Sequence, residues 1–218
     1  QIDPELLEAC VQRAGGNPLF LEQLLRNIDA LRDEEIPGSI QGLVQSRLDV
    51  LDATSRAAIQ AASVLGLRFT PDALQYLLAD QKLETGVLVR SALIREDGNA
   101  LQFAHALIRD GSYETLMKSD RARLHLRAAD WYEERDASLR ARHLEKAGSP
   151  QAAAAYLHAC ENLIQAYQYD EAGTFIARGL DLKTSAENRF ELLCVSSEVM
   201  RLRGLSSDAI GSFQDAAE

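Results

Sequence analysis

Four histidines, His105, His125, His143 and His158, are the side chains here best suited to proton transfer or metal ligation. No two of them stand at a spacing that would place two ligands on one metal ion. Cys10, Cys160 and Cys194 are far apart and odd in number, which reads as small buried residues of a reducing compartment and not as a disulfide or zinc framework. Phosphate chemistry of the P-loop kind is missing too. Gly15-Gly16 is followed by Asn17-Pro18, with no Lys in reach, and the chain has no G-x-G-x-x-G, H-E-x-x-H or C-x-x-C. Ser112, within Asp110-Gly111-Ser112-Tyr113, lacks the G-x-S-x-G elbow. The expectation is a chain that is not itself an enzyme and that carries neither catalytic residue nor metal site.

His105 is the histidine whose setting stands out. It lies in LIREDGNALQFAHALIRDGSYETL, residues 93–116, where Asp97-Gly98-Asn99 separates two short apolar runs. That is a strong local hairpin signal. A helical pattern begins directly after it, so His105 sits where a strand gives way to a helix. Its bland reading is a helix-start residue bonded to a nearby carbonyl. At that position its ring could point out of the domain, which is where a functional hypothesis starts.

The elements that must position this residue are mostly helices. Asp3-Pro4-Glu5 opens one that Gly15-Gly16 should end, and Asn17-Pro18 opens the next, giving a helical hairpin. After the break at Ile36-Pro37-Gly38-Ser39, helices are expected over 39–51, from Asp52 or Thr54 to Gly66, from Thr70-Pro71-Asp72 to 77 or 78, and over 83–91. Three or four short helices followed by a β-wing is the pattern of a winged-helix domain. Helices near 104–116, 119–134 and 138–147 follow, the last two beginning from Ser119-Asp120 and Ser138. Beyond Gly148-Ser149-Pro150 come long Ala-rich segments. There Tyr169-Asp170-Glu171-Ala172, then Ile176 and Gly179, is echoed by Ser206-Ser207-Asp208-Ala209, then Phe213 and Ala216. The shift of 37 residues is close to the 34-residue tetratricopeptide period. Small residues at 172/209 and 179/216 would let paired helices pack closely, and the larger 176/213 would fill the space between pairs.

Composition bounds the partners. The chain of 218 residues has a formal net charge of -10 and a sequence pI of about 4.9, which argues against non-specific nucleic-acid binding. Residues 36–133 hold 11 Lys/Arg against 12 Asp/Glu, leaving no phosphate-binding excess. Lys118, Arg121, Arg123 and Arg127 form a local basic cluster that a solvated helix face explains. No apolar run is long enough to span a bilayer and no secretory signal opens the chain, so a cytoplasmic location is expected, without membrane contact. The first residue is not Met and lies beside a helix start, so a piece of a longer protein is expected.

The phrases GNPLFLEQL, SRLDVL, AASVLG and FAHALIRDGSYETL, in this order, resemble one family. The chain is similar, over nearly its whole length, to the region after the nucleotide-binding core of signal-transduction ATPases with numerous domains (STAND ATPases). The likeness is strongest to the bacterial type joined to class III adenylate/guanylate cyclase domains or to LuxR-like transcriptional regulators. It implies a mainly α chain: a helical lid segment over 1–35, a winged-helix domain with a small β-hairpin wing over 36–117, connecting helices over 118–148, and a tetratricopeptide-like α–α solenoid over 149–218. Gly16, Asn17 and Pro18 match the family's G-x-P motif, whose Pro packs near the adenine. Phe103-Ala104-His105 matches the wing-to-helix position whose His reaches the β-phosphate of ADP in related immune ATPases. There the motif is Met-His-Asp; here Ala106 follows the His. Arg90, Arg95 and Arg109 lie near in sequence but match no motif. The resemblance places ATP or ADP with Mg²⁺, and the catalytic Lys, on an upstream P-loop core in cis. ADP bridging core and winged helix would favour a closed state, and losing that bridge would release the repeats to protein partners and an output domain. Two other readings compete: a DNA-binding winged-helix regulator with a helical sensor domain, and a freestanding helical-repeat scaffold.

Overall fold

Prolines and polar caps start most helices where the sequence asks for them. The computed structural model describes residues 4–16, 18–26, 39–79 and 84–205. Pro4 leads α1 (Pro4–Ala14) and Pro18 leads α2 (Pro18–Arg26), while the expected caps Asp3 and Asn17 lie outside the described residues. The Ser39 hydroxyl accepts from the Gly42 amide to open α3 (Ile40–Asp49). Asp52 accepts from the amides of Thr54 and Ser55 to open α4 (Ala53–Leu65), and Thr70 accepts from Ala73 to open α5 (Pro71–Leu78). Each such cap contributes about 1 kcal/mol. The next helix, α6 (Thr85–Arg90), is shorter than the span expected at 83–91, and no side chain caps its start. Arg56 of α4 donates to the Leu48 and Asp49 carbonyls, tying off the end of α3.

Hydrophobic periodicity builds a core beneath these helices. Val44, Leu48, Ile59, Ala62, Leu74, Leu77, Leu88 and Leu93 are all buried. Three antiparallel strands close one side: β1 (Arg68–Phe69), β2 (Ile94–Asp97) and β3 (Ala100–Phe103), in the order β1-β3-β2. The hairpin forms at Asp97-Gly98-Asn99, with Asp97 paired to Ala100. Gly98 has φ 62°, and Asn99 is not among the residues of positive φ, the pattern of a two-residue II′ turn. The third strand was not expected. At two residues, β1 is too short to show alternation, and it is fixed by contacts remote in sequence. Its Phe69 ring meets that of Phe103 (centroids 5.8 Å apart), and Arg68 Nε donates to Asp97 Oδ2 at 2.6 Å. β3 leads on to α7 (Ala106–Glu114), which packs on α3 and α4.

These elements belong to the first of two compact units, residues 1–117; residues 118–218 form the second. The second unit is a run of antiparallel neighbours: α8 (Lys118–Trp131), α9 (Ala137–Lys146), α10 (Ala152–Gln165), α11 (Tyr169–Asp181) and α12 (Ala186–Leu202). Each packs on the next, and α10 also meets α12. Two starts differ from expectation. Helix α8 begins at Lys118, and α9 is capped by Asp136, which accepts from the Leu139 amide, so Ser138 is already inside the helix. Small residues allow the close approach. Ala172 is fully buried, and a Cβ built on Gly179 would lie 2.9 Å from Leu192 Cδ1. Ile176 is buried beside them. The echo of this pattern at 206–216 lies outside the described residues. The protein is therefore mainly helical with a small three-stranded antiparallel sheet. Among the described residues no helix is long and apolar enough to cross a membrane.

Candidate functional site

His105 is the N-cap of α7, with extended backbone (φ −154°, ψ 151°). Its Nδ1 accepts from the Leu107 amide at 3.1 Å, and its carbonyl accepts from the amides of Ile108 and Arg109. The bland expectation of a bond to a carbonyl is thus corrected: the ring is an acceptor toward its own helix. This follows from where the ring sits, since helix-start amides seek acceptors and no nearby carbonyl does. An unprotonated Nδ1 puts the proton of the neutral ring on Nε2, which is left as a donor. No described residue takes it.

Two supports fix this ring in space. At its front, the Phe103 amide donates to the Leu67 carbonyl and the Ala104 amide to the Leu93 carbonyl, so the strand end is held from both flanks. Behind it, α7 buries Ile108, Gly111 and Ser112. A Cβ on Gly111 would stand 3.1 Å from Val44 Cβ, so only glycine lets α7 lie this close to α3. Gln60 of α4 donates to Thr115 Oγ1 at 2.9 Å, pinning the far end. One turn after His105, Arg109 pairs with Asp110 (2.8 Å), while its buried Nε finds no partner. Arg90 and Arg95 are exposed.

The other expected positions lie elsewhere in the first unit. Gly15 and Gly16 have φ of 55° and 81°, the left-handed turn that ends α1, and Gly16 and Pro18 are exposed. Asn17 lies outside the described residues. Cys10, Phe20 and Leu24 form the small core of this helix pair, and α2 leans on α3. No hydrogen bond among the described residues joins Gly16 or Pro18 to His105. Among the described residues no group of three His, Cys, Asp or Glu could hold a metal ion.

The second unit holds a feature that sequence reasoning missed. His125 of α8 and His143 of α9 are 0% and 5% exposed, and their Nδ1 atoms lie 2.8 Å apart. Tyr132 stacks flat on His143, centroids 5.5 Å apart and planes 6° from parallel. Burial holds both rings well below the usual histidine range, helped at His125 by the charges of His143, Lys146 and Arg121 and at His143 by that of Lys146. A separation of 18 positions across a helix turn carries no motif; the one available signal was that each His falls on the apolar stripe of its helix. Further along, the Tyr156 hydroxyl donates to Glu145, which also pairs with Arg178. Burial, with that carboxylate neighbour, raises the tyrosine to about 12.

No protein-family model matches the chain. An uncharacterised protein of Rhizobium meliloti (strain 1021) is 29% identical over 213 residues, covering 82% of this chain and 20% of the relative. Among solved structures, the STAND protein with a tetratricopeptide repeat sensor from Pyrococcus horikoshii aligns at TM-score 0.50 and 9% identity, over 100% of this chain and 41% of that one. The chain therefore spans a fifth of the curated relative and about two-fifths of the solved chain. At 9% identity the likeness is one of fold alone.

Proposed function

We propose that this chain is a regulatory, non-catalytic region of a multidomain signalling ATPase of the STAND type. In this reading α1 and α2 are the helical lid, residues 36–117 a winged helix, and the second unit the start of a tetratricopeptide-like sensor. An upstream P-loop core in cis holds ATP or ADP with Mg²⁺, and an attached cyclase or transcriptional module supplies the output. Support for the winged helix comes from helices followed by a sheet ordered β1-β3-β2 with a tight hairpin at its edge. Support for the sensor comes from antiparallel helices packed through Ala172 and Gly179, and from the likeness to a protein with such a sensor.

One observation carries the nucleotide part. His105 spends Nδ1 on capping α7 and so presents Nε2–H as a donor at the start of a helix. A phosphate oxygen is a good acceptor there, because the helix dipole adds positive potential to the hydrogen bond. No side chain in the first turn of α7 is acidic, so nothing local repels an anion. A single ring donor at a helix start supports this reading of His105 as a phosphate contact. ADP bound by both core and His105 stabilises the closed arrangement, and its exchange for ATP removes that differential contact.

Calorimetry with ADP tests the division of labour. This chain alone should bind ADP with a Kd no tighter than about 1 mM, about 4 kcal/mol of binding energy, whereas the parent protein should bind far more tightly. Tight binding with hydrolysis by the isolated chain would overturn the reading.

A further inference from the structure

A cavity in the first unit lies apart from His105. It has a volume of about 310 Å³ and opens between the start of α4, the end of α5 and the start of α6. That is the lower end of the range for cavities that hold small molecules. Its floor is apolar: Ala58, Leu78 and Leu88 are buried, and half-buried Val87 joins them. Its rim is polar and exposed, formed by Asp52, Thr54 and Glu84.

Three sources give this rim a negative potential. Asp52 is ionised: the Ser55 hydroxyl and the amides of Ser55 and Thr54 donate to it and hold its carboxyl below the usual range. That charge also offsets the positive end of α4. Glu84 stands at the N-cap position of α6, yet its side chain does not cap the helix, so its carboxylate is not spent on backbone amides. Leu78 ends α5, which brings the carbonyl end of that helix dipole to the same space. None of the described lining residues is a cation. An anion would be repelled here, and a neutral molecule would leave two carboxylates without a counter-charge.

We propose that this cavity binds a small organic cation, a primary ammonium on a compact apolar body. The body lies on Ala58, Leu78, Val87 and Leu88. The ammonium stays at the rim, where Asp52, Glu84 and the Thr54 hydroxyl accept its three N–H bonds. Because the rim is exposed, the charged head keeps part of its water and escapes the desolvation penalty of a buried ion. The inference does not depend on any nucleotide role for His105; it gives the first unit a ligand of its own.

Amide NMR of the whole chain, titrated with phenethylammonium at neutral pH, tests it. Saturable shifts should cluster at residues 54–58 and 84–88. Phenethyl alcohol has the same shape without the charge and should bind more weakly. Glu84→Gln should weaken the ammonium by about 2- to 5-fold, the worth of one exposed charge pair. Glu84 is exposed and caps nothing, so that variant keeps the fold. Nα-acetyl-lysine amide stands for the side chain of a partner protein, and its linear stem covers less of the apolar floor, so it should also bind more weakly. The proposal is overturned by the absence of saturable shifts at those residues, or by equal affinity for the ammonium and the alcohol. An unchanged affinity in Glu84→Gln, or tighter binding of the lysine amide than of phenethylammonium, overturns it as well.

Discussion

Adding one methyl group at Gly111 should displace the helix that carries His105. A Cβ there would lie 3.1 Å from Val44 Cβ and Cγ2 and 3.2 Å from Cγ1. Val44 is 2% exposed and β-branched, so no rotamer turns all three atoms away. Overpacking of this kind costs about 1–3 kcal/mol. Alanine in a helix returns about 1 kcal/mol over glycine. The net for Gly111→Ala is a loss of up to about 2 kcal/mol, with α7 moved off α3. Hydrogen exchange of the α7 amides, combined with a double-mutant cycle against Val44→Ala, measures it. In the Val44→Ala background both γ-methyl contacts are gone and only the approach to Cβ remains, so the same change should cost less there than in the wild type. A smaller loss in the Val44→Ala background than in the wild type is the expected result. Equal destabilisation in both, or stabilisation in both, would refute the packing argument.

Three further outcomes follow from the same kind of reasoning. Tyr167 closes α10 at φ 61°, a left-handed position that suits glycine, so Tyr167→Gly should raise stability by about 1 kcal/mol as read by Trp131 fluorescence in urea. Gly179→Ala should cost less than Gly111→Ala, because the atoms it meets include the δ-methyls of Leu192, which can rotate; a larger loss at 179 than at 111 would contradict this. His105→Ala should destabilise this chain by about 1 kcal/mol through loss of the α7 cap, while His105→Asn, which still accepts from a backbone amide, should cost only a few tenths, by urea unfolding followed by circular dichroism.

Local chemistry was legible in the sequence, and long-range partnership was not. The hairpin at Asp97-Gly98-Asn99 and the helix starts at Ser39, Asp52 and Thr70 follow from turn and cap preferences acting over three or four residues, and the structure has them. The strand β1 follows from no local rule, since Arg68 and Phe69 become a strand only because β3 lies beside them. His105 could be placed at a helix start, but which ring nitrogen faces the helix depends on the Leu107 amide. The His125/His143 pair was invisible for the same reason as β1. Two residues on separate apolar stripes meet only once α8 and α9 pack, and their ionisation is set by that burial.

The central claim is that His105 reads a nucleotide phosphate held mainly by an upstream core. Its most direct test is the ADP affinity of the full parent protein bearing His105→Asn, the variant that keeps the α7 cap and removes the ring donor. Loss of one hydrogen bond to a charged phosphate is worth about 1.5–3 kcal/mol, so ADP binding should weaken about 10- to 150-fold with folding intact. An unchanged ADP affinity in that variant would contradict the account.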